Sequence, residues 1–246
     1  MLKPTLIATT LTLLAAAGAQ AATVSFQDGL NGYTGTESRV LSAAAADGVR
    51  PVLMPTAVID LQTNRYGGNA QSQWLLRFDD IVSALGVPAG ATINSASLRL
   101  FTKDPTVGTV SVHRMLSHWD AASSWNSLDG GVTPGIDAVL TADDTRTGLA
   151  DERHVVFDVT DSVAAWVNGA SNFGWAFLID STDDWIVQTD MYRSAGPVAL
   201  ARLRPLLSID FAPAAAVAPV PLPAAVWLLG GALCGLGAVA RRSTAV

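Results

Sequence analysis

The side chains of this chain that could recognise or transform a ligand are its tryptophans, its histidines and one acidic turn. An exposed indole face offers a platform for a sugar ring. Trp119 and Trp125 flank the loop His118-Trp119-Asp120-Ala121-Ala122-Ser123-Ser124-Trp125-Asn126, and Trp185 follows the turn Asp180-Ser181-Thr182-Asp183-Asp184. These three are the candidate glycan-binding residues, whereas Trp74, Trp166 and Trp175 fall on apolar faces and belong in the core. Asp180, Asp183 and Asp184 carry hard oxygens of the kind Ca²⁺ collects in extracellular modules, and they are the candidate metal ligands. Their spacing is not that of an EF-hand loop, and a solvated acidic turn is the plainer reading. Asp143-Asp144 is a weaker candidate of the same kind.

Covalent and redox chemistry finds little support. There is no His-Glu-x-x-His, no Gly-x-Ser-x-Gly, no phosphate loop and no dinucleotide-binding glycine pattern after a strand. His113, His118 and His154 each sit in or beside an expected strand, where a structural histidine is the default. A polysaccharide lyase would need a Tyr or His base beside a group that neutralises the sugar carboxylate. Tyr66, Tyr192 and His113 with Arg65 or Arg193 are the available residues, and nothing in their spacing brings them together. No catalytic residue and no cofactor is expected. The single Cys234 excludes an intramolecular disulfide and a Cys-rich metal site.

The elements that must position these residues follow from patterning. Half of the 246 residues are hydrophobic and 15% are charged, too apolar for a disordered chain. All 21 acidic residues lie between positions 28 and 210, while Lys3, Arg241 and Arg242 lie outside that stretch, so the middle carries a net charge of −9. Nucleic acid is therefore not an expected partner. Such a domain also repels polyanions at long range, though salt screens this within about 8 Å. The expected ligand is a neutral glycan, or an acidic one bridged by Ca²⁺.

Between Phe26 and Phe211 apolar and polar residues alternate with period two, which marks half-buried strands. Trp74-Leu76-Phe78, Ala96-Leu98-Leu100, Val155-Phe157-Val159 and Phe173-Trp175-Phe177-Ile179 should face one core. Val110–His113 and Leu207–Phe211 read as further strands, the last opened by Pro205 and closing the sheet. Only two short helices are expected. Thr160 or Asp161 caps one that buries Val163, Trp166 and Val167 and ends at Gly169; Asp80 caps a single turn through Leu85. Without long interleaved helices the fold class is all-β, a single antiparallel jelly-roll-like sandwich.

Both ends differ from the middle. Lys3, the apolar run Leu6 to Ala17 and the small residues Ala19 and Ala21 form a signal peptide over residues 1–21, cleaved by signal peptidase after Ala21. Residues 212–223 are a Pro/Ala linker, stiff because successive prolines fix φ. Residues 224–240 are uncharged and form an expected transmembrane helix of about 25 Å. Arg241-Arg242 opens a basic tail over 241–246 that should stay cytoplasmic, with the domain outside.

That C-terminal order of prolines, apolar helix and basic cluster closely resembles the PEP-CTERM sorting signal of Gram-negative bacteria. Val220-Pro221-Leu222-Pro223-Ala224-Ala225 matches its Val-Pro-Leu-Pro-Ala-Ala variant, with Leu222 where the naming motif has Glu. The resemblance implies an exosortase substrate, held in the inner membrane during sorting and then released or transferred at the cell surface, in systems associated with exopolysaccharide and biofilm matrix.

Residues 22–211 resemble the DNRLRE domain. The resemblance rests on an ordered set: Phe26 to Thr36, Asn64-Arg65-Tyr66-Gly67-Gly68, Leu75-Leu76-Arg77-Phe78-Asp79, Pro88-Ala89-Gly90, Ala96-Ser97-Leu98-Arg99-Leu100, Trp119 and Trp125, Phe157-Asp158-Val159-Thr160, Asn172-Phe173-Gly174-Trp175, and Arg204-Pro205-Leu206-Leu207. Glu37-Ser38-Arg39 departs from the Asp-Thr pair usual after the first turn, and Asp190 is the nearest residue to the usual Glu before Arg-Pro. The family implies a jelly-roll sandwich of secreted and surface proteins related to carbohydrate-binding modules. Extracellular polysaccharide is thus the expected partner of a non-catalytic surface or matrix protein. A purely structural matrix or adhesion role is the alternative, and a lyase or hydrolase the third reading.

Overall fold

The computed structural model describes residues 20–43, 46–47, 58–60, 71–83, 86–180, 185–188 and 202–214. Contacts divide the chain into Met1–Ala214 and Ala215–Val246, and all described residues belong to the first unit. The sorting motif at 220–225, the span expected at 224–240 and Ala19 lie outside the described residues. Among the described residues no helix is long and apolar enough to cross a membrane.

The strands are β1 (Ala22–Phe26), β2 (Thr36–Ser42), β3 (Val58–Asp60), β4 (Ser72–Phe78), β5 (Thr92–Asp104), β6 (Thr106–Arg114), β7 (Asp144–Leu149), β8 (Arg153–Asp158), β9 (Trp175–Ile179), β10 (Ile186–Gln188) and β11 (Leu206–Ala212). They form two antiparallel sheets and no closed barrel. Sheet A runs β1-β11-β5-β10-β3 with β8 also on β5, and sheet B runs β2-β4-β9-β6-β7. β5 is the longest strand because one edge of it serves two partners in succession. Leu206↔Arg99 to Ala212↔Thr92 pairs it with β11, and Ile186↔Asp104 to Gln188↔Phe101 with β10. Its other edge takes β8, from Ser97↔Asp158 to Thr102↔Arg153. Pro205 does precede a strand, yet β11 lies inside sheet A between β1 and β5, because the proline sits just before the first ladder pair.

The alternation fills the space between the sheets as expected for most of its length. Ala96, Leu98 and Leu100 of β5, Phe157 of β8 and Leu207, Ile209 and Phe211 of β11 meet Trp74, Leu76 and Phe78 of β4 and Trp175 and Phe177 of β9 in one cluster. Trp74 stacks on Phe177 at 4.4 Å between ring centres, and Trp166 tilts against Trp175 at 4.7 Å. The helix α1 (Thr160–Val167) buries Val163, Trp166 and Val167. Its cap differs from the expected one. The N-cap is Val159, which offers no side-chain cap; Asp158 before it accepts from the Thr160 N–H at 2.9 Å and from its hydroxyl at 2.6 Å, and Thr160 is already helical and faces β5, where it accepts from the Ala96 N–H. Gly169, at φ +101°, follows the last turn. Residues 84 and 85 of the helical turn expected after Asp80 lie outside the described residues; at 81–83 there is no helix, and the Val87 N–H returns to the Ile81 carbonyl at 2.8 Å. Asp80 itself is left-handed, at φ +56°, a conformation that leads into a turn rather than a helix.

Alternation reads only one face of a sheet, and sheet B is covered on both. Leu75 and Ala176, on the face turned away from the main core, are fully buried in a second cluster with Leu41, Met115, Trp119, Leu128, Val132 and Ala138. The cover is the long connection 115–143 between β6 and β7. Polar side chains of sheet B pin its backbone: Gln73 accepts from the Val132 N–H at 2.6 Å and donates to the Val132 carbonyl at 3.0 Å, and Arg39 donates to the Ser123 carbonyl at 2.8 Å. Phe173 belongs to this outer layer and not to the face of Trp175. Gly174, at φ +71°, breaks the extended chain between them, and a Cβ there would lie 2.1 Å from the Leu76 carbonyl oxygen, so only glycine fits.

Candidate functional site

The tryptophans expected to present sugar-binding faces are placed otherwise. Trp185 is fully buried, its ring 6.2 Å from Phe157 and 6.3 Å from Phe177, with its N–H given to the Thr102 hydroxyl at 3.1 Å. Trp119 is buried under the 115–143 cover, donates to the Phe173 carbonyl at 2.6 Å and carries the Arg77 guanidinium 5.0 Å above its ring. Neither offers a face to solvent, because each closes an apolar space that the sandwich would otherwise leave open. Trp125 is half-buried on the second cluster, its ring wedged against Gly131, where a Cβ would come within 2.8 Å.

Asp180 is exposed and its carboxylate accepts from the Thr109 N–H at 2.7 Å, closing the end of β9 onto β6. Asp183 and Asp184 lie outside the described residues, and among the described residues no three His, Cys, Asp or Glu side chains are grouped as metal ligands. His113 is buried with both ring nitrogens engaged, Nδ1 with the Val139 carbonyl at 2.9 Å and Nε2 with the Ser111 hydroxyl at 3.1 Å. Its lyase partners Arg65, Tyr66, Tyr192 and Arg193 are outside the described residues. Asp143 is a titrating group engaged in the fold. It accepts from the Ser162 hydroxyl and from the Trp175 N–H at 3.0 Å, and burial pushes its pKa above the usual carboxylate range.

Among the described residues a concave site lies elsewhere, at the flank where the chain crosses between sheets. Among the described residues β7 is an edge of sheet B and β8 an edge of sheet A; a turn at residues 150–152 joins them. Each strand is hydrogen-bonded into its own sheet, so the two splay apart. Between them runs a groove of about 420 Å³, in the size range of ligand sites, lined by Thr102, Arg146, Gly148, Leu149, Ala150, Arg153, His154, Val155 and Val156. Register explains the lining. Residues directly opposite each other share a face. Arg146 pairs with core-facing Val110, and Arg153 with buried Thr102, so both arginines point inward where the sandwich edge is open. Leu149 and Val155 provide the apolar floor, packed on the main core.

The electrostatics are local and opposite in sign to the domain. The lining holds two arginines, one histidine and no carboxylate. Arg146 is held by Asp144 at 2.6 Å, and the same Asp144 carboxylate accepts from the Asp158 N–H at 2.9 Å, tying β7 to β8. Among the described residues no carboxylate pairs with Arg153. Burial, and then the Arg99 and Arg202 guanidiniums, hold the His154 pKa below its ordinary value. Such a groove offers charge-assisted donors above an apolar floor, the chemistry that fits hydroxylated rings bearing acidic groups. The sequence signal was present as Arg146 and Arg153, but two arginines separated by a turn do not show that they flank a groove.

Fold and groove together define an all-β, two-sheet protein with a basic cleft at one flank. No protein-family model matches the chain, and no curated protein does.

Proposed function

We propose that the chain is an exported, non-catalytic surface or extracellular-matrix protein whose domain, a jelly-roll-like sandwich of the DNRLRE kind, binds extracellular polysaccharide in the β7–β8 groove. The observation that carries the reading is the groove lining, with Arg146 and Arg153 over Leu149 and Val155, His154 at the rim and no carboxylate among them. It favours a polysaccharide with acidic sugars taken up directly, rather than the neutral or Ca²⁺-bridged glycan that the overall charge suggested, because contacts within a few ångströms outweigh a screened long-range field. The engagement of both His113 nitrogens supports a structural rather than a catalytic histidine. Export by signal peptidase and sorting by an exosortase at Val220-Pro221-Leu222-Pro223-Ala224-Ala225 rest on the sequence resemblance.

The test is retention of the full chain on immobilised uronate polymer. The unmodified chain should be retained and eluted by salt, and Arg153→Ala should lose retention while keeping its melting temperature; equal retention of the two proteins refutes the groove. Mass spectrometry of the surface fraction tests sorting, where recovery of intact peptide from Trp227 to Arg242 would mean a permanent anchor.

One observation favours the structural alternative. Ile136 and Leu140, 73% and 71% exposed, project from the 115–143 cover as apolar surface of the kind that packs on other proteins. A matrix protein lacking a glycan site would pass through the uronate column unretained.

A further inference from the structure

β8 has two faces: one lines the groove, and the other reaches it only at the rim. Arg153 and Val155 point inward, while His154 and Val156 point to the outer face of sheet A, where register sets them beside β5. His154 lies opposite Phe101, with the two rings edge-on at 5.2 Å. Val156, 45% exposed, lies opposite Arg99, whose other neighbour is Leu206 of β11. Arg99 is half-buried; its Nε is shielded and has no acceptor, and among the described residues no carboxylate pairs with its guanidinium. The nearest acidic residue on that face by register, Asp158 opposite Ser97, is taken up by the Thr160 N–H and hydroxyl. Arg202 adds a further positive charge close enough to act on His154.

A buried donor without a partner costs about 1–3 kcal/mol, so such a group marks a place where an acceptor is missing. Here the missing acceptor would sit beside an aromatic ring, two aliphatic side chains and further cations. His154 and Val156 also form the rim of the groove, so the outer face is continuous with it around the edge of β8. Arg99 and Arg153 are three residues apart in register along β5, roughly 10 Å, a distance a single sugar ring does not bridge.

Resting on the polysaccharide reading of the groove, we propose a second subsite on the outer face of sheet A. There Arg99 receives the acidic group of one sugar, and Phe101, Val156 and Leu206 support its ring. The site as a whole then takes a chain that wraps over β8, with one acidic unit at Arg153 in the groove and a later one at Arg99. Length of the acidic oligosaccharide, and not charge alone, sets the affinity.

Titration calorimetry of the full chain in detergent with digalacturonate and hexagalacturonate tests this. The unmodified chain should bind the hexamer more tightly. Arg99→Gln should weaken hexamer binding about tenfold, as expected for one lost charge-assisted contact, and leave the dimer unchanged, whereas Arg153→Ala should weaken both. Arg202→Glu, an exposed change that leaves the fold alone, should weaken the hexamer if Arg99→Gln fails to fold. If both outer-face variants bind the hexamer as the unmodified chain does while Arg153→Ala does not, the second subsite is refuted and the groove stands. If the unmodified chain binds neither oligomer, the groove reading fails and takes the subsite with it.

Discussion

Replacing Trp185 separates a core residue from a sugar platform. Its ring is fully buried between Phe157 and Phe177, and its N–H meets the Thr102 hydroxyl at 3.1 Å. Trp185→Ala removes the whole side chain and leaves a cavity between two sheets that cannot collapse without breaking their ladders, so it should cost roughly 3–5 kcal/mol. Trp185→Phe keeps an aromatic ring and loses the hydrogen bond, which leaves the Thr102 oxygen without its donor, so about 1–3 kcal/mol is expected. Adding Thr102→Val to Trp185→Phe should cost little more or recover part of the loss, because replacing both partners by apolar groups removes the unsatisfied oxygen. Against a typical stability of about 5–15 kcal/mol the alanine variant loses a large share. Urea unfolding of the chain in detergent, followed by circular dichroism with an unchanged slope, measures all three. A loss below about 0.5 kcal/mol for Trp185→Ala, the level of an ordinary surface substitution, would put the indole outside the core and refute the placement.

Two further perturbations test other parts of the fold. Burial raises the Asp143 pKa, so the unfolded chain releases this proton at lower pH than the folded one; the group's contribution is complete below the ordinary carboxylate value and is lost as pH rises from there through the raised value. Asp143→Asn keeps an oxygen for Ser162 and Trp175, and should therefore stabilise relative to the unmodified chain at about pH 7, with the gain vanishing toward about pH 4; a gain that grows toward acid in thermal melts refutes the sign. Gly174→Ala should cost well beyond the about 1–2 kcal/mol of a left-handed backbone, because its Cβ would meet the Leu76 carbonyl, and near-ultraviolet dichroism of a variant with native signal and midpoint would overturn that.

The inward faces of the sheets were legible in the sequence because alternation is a local property. Leu98 and Leu100 need only the pleat of their own strand to point one way, and the pattern of α1 likewise placed Val163, Trp166 and Val167 inside. What lies on the far side of a sheet is not local. Leu75 and Ala176 read as outward positions, and they are buried because a connection of nearly thirty residues folds back over sheet B. Trp119 therefore looked exposed, since a loop position has no period to betray its burial. Phe173 was assigned to the core by the same alternation, which Gly174 interrupts.

The groove depended on the tertiary structure altogether. By itself, the sequence determined an apolar two-faced strand set, an acidic middle flanked by two apolar ends, and the absence of the common catalytic motifs. It could not determine that β7 and β8, neighbours across a short turn, join different sheets. That splay turns Arg146 and Arg153 toward one cleft and leaves His154, Phe101 and Arg99 together on the opposite side of β8. The reason is that strand partners are chosen by contacts distant in sequence, and a cleft is the space left over once those pairings are made.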